Sequence, residues 1–127
     1  MSARQHQIVV AACLLALIAL SSCGGSAGGG PSTVTKTVTD GAITVGAYDL
    51  YFDVHTIDTS PGPLTVTLVD HGAVFHTFKI EGTSLYLQTN AGQTATGTVT
   101  LAKGTYTFDC TVPGHAAAGM RGVIHVR

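Results

Sequence analysis

Gly104-Thr105-Tyr106-Thr107-Phe108-Asp109-Cys110, running on through Thr111-Val112-Pro113-Gly114-His115-Ala116-Ala117-Ala118-Gly119-Met120 to Arg121-Gly122, is the stretch on which the fold turns. Its first seven residues alternate, so Tyr106, Phe108 and Cys110 share one face of a strand. Two aromatics on that face make it the buried one, and Cys110 points inward at the strand's end. The remainder cannot continue the strand. Pro113 and Gly114 turn the backbone so that His115 comes back toward Cys110, and Gly119 and Gly122 permit close backbone approach around Met120. A thiol, an imidazole and a thioether therefore converge from one strand end and one loop, at spacing Cys-x4-His-x4-Met.

Upstream, Leu64-Thr65-Val66-Thr67-Leu68-Val69 alternates in the same manner after the turn-forming Ser60-Pro61-Gly62-Pro63. Ile43 to Val45, Leu50 to Val54, Thr94 to Leu101 and Gly122 to Val126 read as further strands, and Lys103-Gly104 as a turn. No convincing helix and no internal repeat is present. Many short strands at this spacing predict an all-β Greek-key sandwich or barrel. In Val74-Phe75-His76-Thr77-Phe78, parity groups His76 with Phe78 and Ile80, so His76 faces inward where a strand begins.

The first 22 residues read as an export signal: Arg4 supplies positive charge and Ile8 to Leu20 an apolar run too short to span a membrane comfortably. Leu20-Ser21-Ser22-Cys23-Gly24 resembles the bacterial lipobox, whose cysteine becomes lipidated and N-terminal after cleavage. Acyl chains on Cys23 would hold the protein on the outer face of a bacterial membrane without spanning it. The competing reading is an ordinary secretory peptide cut nearby. Gly24 to Ser32 is Gly-rich and reads as a flexible tether, extended here to Thr39 although Thr33 to Thr39 could form an edge strand. The expected organisation is thus signal 1–22, lipidated Cys23 with tether 23–39, and one domain at 40–127 of 88 residues, enough for one sandwich core. Removal of Arg4 leaves five basic and seven acidic residues, a net charge of −2, which gives no footprint for nucleic acid.

Of three cysteines, Cys13 departs with the signal and Cys23 is consumed by lipid, so Cys110 has no disulfide partner within the domain. A lone thiol in an exported protein is open to oxidation and persists better as a metal ligand. Two imidazoles and a thiolate with a weak axial thioether form the ligand set of a blue copper electron-transfer site. His76, Cys110, His115 and Met120 are the candidate ligands of one copper ion. Cys110 as a mere buried hydrophobe would leave the Pro-Gly-His and Gly-Met spacings unexplained; Met120 alone could be core filler. His55, His71 and His125 are expected at the surface, His71 lying near the site in sequence as an auxiliary contact at most. Phe75, Phe78, Val112 and Pro113 are expected to form an apolar surround that raises the site's reduction potential.

The segment Gly104 to Gly122, with its upstream counterpart Thr65 to Gly82, resembles the cupredoxins, the type 1 blue copper proteins that include plastocyanin, auracyanin, rusticyanin and sulfocyanin. The resemblance spans about residues 43–127, and the four-residue gaps resemble the last three more than plastocyanin. It implies a Greek-key sandwich, copper held by His76, Cys110, His115 and Met120, and electron exit at His115 beside Pro113 and Ala116 to Ala118. Thr77 departs from the asparagine that follows the first histidine in many members and braces the ligand loop; a hydroxyl offers fewer donors. Asp70-His71-Gly72 stands where Asn-x-Gly is commoner.

The resemblance implies a monomeric, non-enzymatic carrier between redox donor and acceptor proteins, membrane-associated in keeping with lipidated Cys23. A copper storage or delivery lipoprotein is the alternative, although delivery would favour a more open site. The sequence has no His-x-His pair for a trinuclear oxidase centre and no cysteine neighbouring Cys110 for a binuclear one. A metal-free adhesive sandwich would not need these spacings.

Overall fold

The computed structural model describes residues 33–127. The expected signal 1–22, Cys23 and the tether as far as Ser32 lie outside the described residues. The strands are β1 (Thr35–Thr37), β2 (Ala42–Tyr48), β3 (Tyr51–Phe52), β4 (Thr56–Thr59), β5 (Gly62–Asp70), β6 (His76–Ile80), β7 (Tyr86–Thr89), β8 (Thr94–Leu101), β9 (Gly104–Asp109) and β10 (Arg121–Val126). One helical turn, α1 (His115–Ala118), interrupts the last connection. A six-stranded sheet in the order β1-β4-β10-β9-β6-β7 packs on a four-stranded sheet in the order β3-β2-β5-β8. The result is the Greek-key β-sandwich that the alternation predicted.

Alternation becomes packing most visibly in β5. Leu64, Val66, Leu68 and Asp70 are buried, while Thr65 and Thr67 face outward. Their hydroxyls meet those of Thr98 and Thr96 on antiparallel β8 at 2.9 and 3.2 Å. Between the sheets, Phe52, Phe78 and Phe108 are fully buried, with ring centroids 4.8–5.8 Å apart. Aromatic pairs in offset or edge geometry add about 0.5–1.5 kcal/mol beyond their burial. Gly122 is obligatory at its position, because a Cβ there would run into the His55 carbonyl oxygen and the Phe108 ring.

Thr33 to Thr39, whose sequence favours a tether with an edge strand as the alternative, contains a strand. β1 pairs in parallel with β4, Thr35 opposite Thr56, Lys36 opposite Ile57 and Thr37 opposite Asp58. The Lys36 ammonium then crosses to the other sheet, donating to the Thr44 carbonyl at 3.0 Å and the Asp53 carboxylate at 2.9 Å. Asp53 in turn accepts from the Gly46 N–H at 2.9 Å. Val38 closes the clip as a buried core residue. The predicted strand Leu50 to Val54 shortens to β3, after which the chain crosses into β4.

The strand directions collect the candidate ligands at one end of the sandwich. β5 and β9 finish there, and β6 and β10 begin there, because β9 is antiparallel to both β6 and β10. β1 is parallel to β4 and hence to β10, so its start also lies on the ligand half.

Candidate metal centre

Cys110 leaves β9 with its backbone N–H bonded to the Met120 carbonyl at 2.9 Å, so the two ends of the ligand loop are tied together. Within the loop the His115 N–H donates to the Val112 carbonyl at 3.0 Å, and the Met120 N–H to the His115 carbonyl at 3.0 Å. Gly114 at φ 86° and Gly119 at φ 125° bracket α1, backbone settings that side chains rarely adopt. Three alanines or their equivalents between such glycines fit a single tight turn. That turn departs from the all-strand expectation; four residues are too few to print a helical period in the sequence.

Through this loop the Cys110 Sγ and His115 Nδ1 come to 3.7 Å. His76 arrives from the start of β6, and one ligand atom from each of His76, Cys110 and His115 lies within 4.8 Å of the other two. The two imidazoles are 5.2 Å apart, inclined at 55°. Met120, wholly buried, is drawn to the same place by its two backbone bonds.

His76 is fully buried, yet neither ring nitrogen has a hydrogen-bond partner. Burial lowers its pKa from 6.5, against the smaller opposing pull of Asp70. A neutral ring has a lone pair available for a metal, which protonated imidazole lacks. Buried polar atoms without partners are rare in folded proteins. Two imidazoles, one thiol and one thioether, with both His76 nitrogens left without partners, are the donor set that a type 1 copper ion satisfies.

Thr77 takes up the bracing work. Its backbone N–H lies 3.5 Å and its hydroxyl 3.7 Å from the Cys110 sulfur, and the Thr111 N–H donates to that hydroxyl at 2.7 Å. One short side chain thus touches the sulfur and the start of the ligand loop together. Asp70 holds the other side: its buried carboxylate accepts from the Gly72 N–H at 2.9 Å and the Thr89 hydroxyl at 3.3 Å. Gly72 itself passes so close that a Cβ would sit 2.8 Å from His76 Nε2.

Residues 40–127 match the family described as copper binding proteins, plastocyanin/azurin family. The chain belongs to that family. Among solved structures it is similar to the Na-dithionite-reduced auracyanin of the photosynthetic bacterium Roseiflexus castenholzii, at 24% identity and TM-score 0.65, over 71% of this chain and 99% of that one. It is also similar to auracyanin B, at 23% identity and TM-score 0.61, over 76% of this chain and 95% of that one. No curated protein matches the chain. As a cupredoxin it carries one type 1 copper centre, for which the His, Cys and Met side chains described here are suited.

Some expectations about the cupredoxin's surroundings need correction. Phe78 is buried and Val112 packs against the core, but Phe75 and Pro113 are exposed. His55 is half-buried rather than exposed, and both its ring nitrogens are buried without partners. His71 is exposed and stacks on Tyr48 at 5.1 Å, outside the cluster. Asp70 and Thr111 were missed as supports. Asp70 extends the inward parity of Leu64, Val66 and Leu68, which was the available signal.

Proposed function

We propose that His76, Cys110, His115 and Met120 bind a single copper ion and that the protein is a blue copper electron carrier, working between extracytoplasmic redox partners. One observation carries this reading: a fully buried His76 with two orphaned nitrogens, set against the Cys110 thiol and the His115 ring. Copper held there would supply a one-electron couple between its two oxidation states. The chain's own contribution is rigidity. Cys110, His115 and Met120 are tied by backbone hydrogen bonds, and His76 is fixed by β6, so the donors change position little when charge changes. Small rearrangement favours fast transfer. His115, partly exposed beside Pro113 and Ala116 to Ala118, is the route by which electrons leave.

The export-signal pattern of residues 1–22 and the lipobox-like Leu20 to Gly24 support a place on the outer face of a bacterial membrane, with donor and acceptor proteins associated with it. Nine residues lie between Cys23 and Thr33, ten steps along the chain, so an anchor lies at most about 35 Å from the domain. A near-neutral charge favours apolar docking over strong electrostatic steering.

The test is to express residues 33–127, add one equivalent of Cu(II), and record visible and EPR spectra beside Cys110→Ser. An intense blue thiolate-to-copper band with narrow hyperfine splitting is expected, and its loss in Cys110→Ser. A pale spectrum with ordinary tetragonal copper signals would reject the carrier and favour copper storage or delivery.

A further inference from the structure

Thr77 alternates with the inward-facing His76 and Phe78, yet it is only 1% exposed. One residue bonds to it directly, and a second reaches it through the first. Thr111 follows Cys110, and Tyr86 stands on β7, which pairs with β6 so that Lys79 is opposite Tyr86 and Thr77 opposite Gln88. Their hydroxyls form a chain. Tyr86 Oη is 3.2 Å from Thr111 Oγ1, Thr111 Oγ1 is 3.0 Å from Thr77 Oγ1, and Thr77 Oγ1 is 3.7 Å from Cys110 Sγ. Tyr86 is 47% exposed, so the chain joins the protein surface to the sulfur.

Hydrogen counting gives the chain a direction. Each hydroxyl has one hydrogen to donate and two lone pairs. Thr77 Oγ1 already accepts the Thr111 N–H, leaving one lone pair. If Thr77 donates to the sulfur, that remaining lone pair accepts the Thr111 hydroxyl, and Thr111 accepts the Tyr86 phenol. Every hydroxyl then donates once, all toward Cys110. In the reverse order the sulfur loses its hydroxyl donor and keeps the Thr77 N–H alone. A thiolate, as anion, favours the first order.

We propose that Tyr86, acting through Thr111, is a positioning residue that turns the Thr77 hydroxyl toward the Cys110 sulfur and so withdraws charge from it. The proposal rests on copper ligation by Cys110 as argued above. Hydrogen bonds to a sulfur ligand set the balance between oxidation states of its metal. A sulfur stripped of its hydroxyl donor is a stronger donor and favours the oxidised ion. Cooperative polarisation along the chain makes the far phenol count at the near sulfur. The signal in the sequence is absent, because Thr77, Tyr86 and Thr111 share no spacing rule; the pairing of β6 with both β7 and β9 joins them.

The experiment uses the full chain, copper-loaded, as wild type, Tyr86→Phe, Thr111→Val, Thr111→Ser and Thr77→Val, with midpoint potential and charge-transfer band recorded for each. Tyr86→Phe keeps the ring and removes only the hydroxyl. It is expected to lower the potential and move the band to longer wavelength, in the same sense as Thr77→Val but by less. Thr111→Val should do the same, Thr111→Ser should behave as wild type, and Tyr86→Phe with Thr111→Val should shift no further than Thr111→Val alone. In the metal-free protein, exchange of the Thr77 hydroxyl proton should be slow in the wild type and faster in Tyr86→Phe. Unchanged potential, band and hydroxyl exchange in Tyr86→Phe, with Thr77→Val shifted, would overturn the role of Tyr86. A wild type without a blue band would instead reject copper ligation, and the hydroxyl exchange would still decide the relay.

Discussion

Replacing His76 with leucine should make the metal-free protein more stable while destroying its metal site. His76 occupies a fully buried position and leaves both ring nitrogens without partners. An unsatisfied buried polar group costs about 1–3 kcal/mol. Leucine has similar bulk and no polar atoms, so His76→Leu should raise the unfolding free energy of the metal-free protein by about 2 kcal/mol. For a domain of this size that is a rise in Tm of about 10 °C. The pH dependence provides an independent signature. The folded-state pKa of His76 lies below 6.5, lowered chiefly by burial. The unfolded chain therefore binds this proton more readily, so the folded state keeps its full stability above pH 6.5 and loses it as pH falls from there toward the folded pKa. The limiting slope for one proton is about 1.4 kcal/mol per pH unit. His76→Leu should lose this component. With copper in excess the order reverses, since a ligand at 1,000 times its Kd adds about 4 kcal/mol to the form that binds it. Calorimetry of both proteins, stripped and loaded, between pH 5 and 8 is the assay. A metal-free His76→Leu that melts at or below the wild type, with its acid-side slope intact, would refute the assignment of His76 as an unsatisfied, proton-poor ligand.

Two glycines make narrower tests. In Gly72→Ala the new methyl would lie 2.8 Å from His76 Nε2 and 2.9 Å from Asp49 Oδ1, so the imidazole must tilt. Copper affinity should fall by about 10–100-fold in a competition titration against a chelator, the range seen when a ligand's supports are disturbed; an unchanged affinity would show that His76 has slack. In Gly122→Ala the methyl meets the His55 carbonyl and the Phe108 ring, neither free to swing away. The urea midpoint should drop by the equivalent of about 3 kcal/mol, and an unmoved midpoint would contradict this packing.

Strand parity made the core and the candidate ligand cluster legible for the same reason. Phe108 on β9 and Cys110 just past its end, and His76 and Phe78 on β6, occupy inward positions two apart, so a rule that finds the core also finds candidate ligands placed at its edge. The hydroxyl relay escapes that rule. Thr77 sits at an outward-parity position yet is buried, and its hydroxyl is linked through Thr111 to Tyr86, on two other segments. A tertiary register brings them together, and one chain read linearly contains no trace of it.

β1 stood only as the alternative to a tether for a related reason, with a different balance of forces. Thr35-Lys36-Thr37 offers no apolar face, so its sequence resembles the Gly-rich run before it more than a strand. What orders it is nonlocal: ladder bonds to β4, the burial of Val38, and an ammonium reaching the opposite sheet. The ion pair itself is weak at this exposure, since half-solvated pairs contribute about 0–1 kcal/mol. The backbone pairing and Val38 must therefore outweigh the entropy of fixing five residues, which a tether never has to meet. The added strand also changes where the chain leaves the domain. Without it the chain would leave near Ala42, at the end of β2 away from the ligands, since β2 is parallel to β5 and β5 finishes on the ligand side. With it, Val34 lies level with His55 on the ligand half. An anchor at Cys23 would then pull the copper end, rather than the opposite end, toward the surface that holds it.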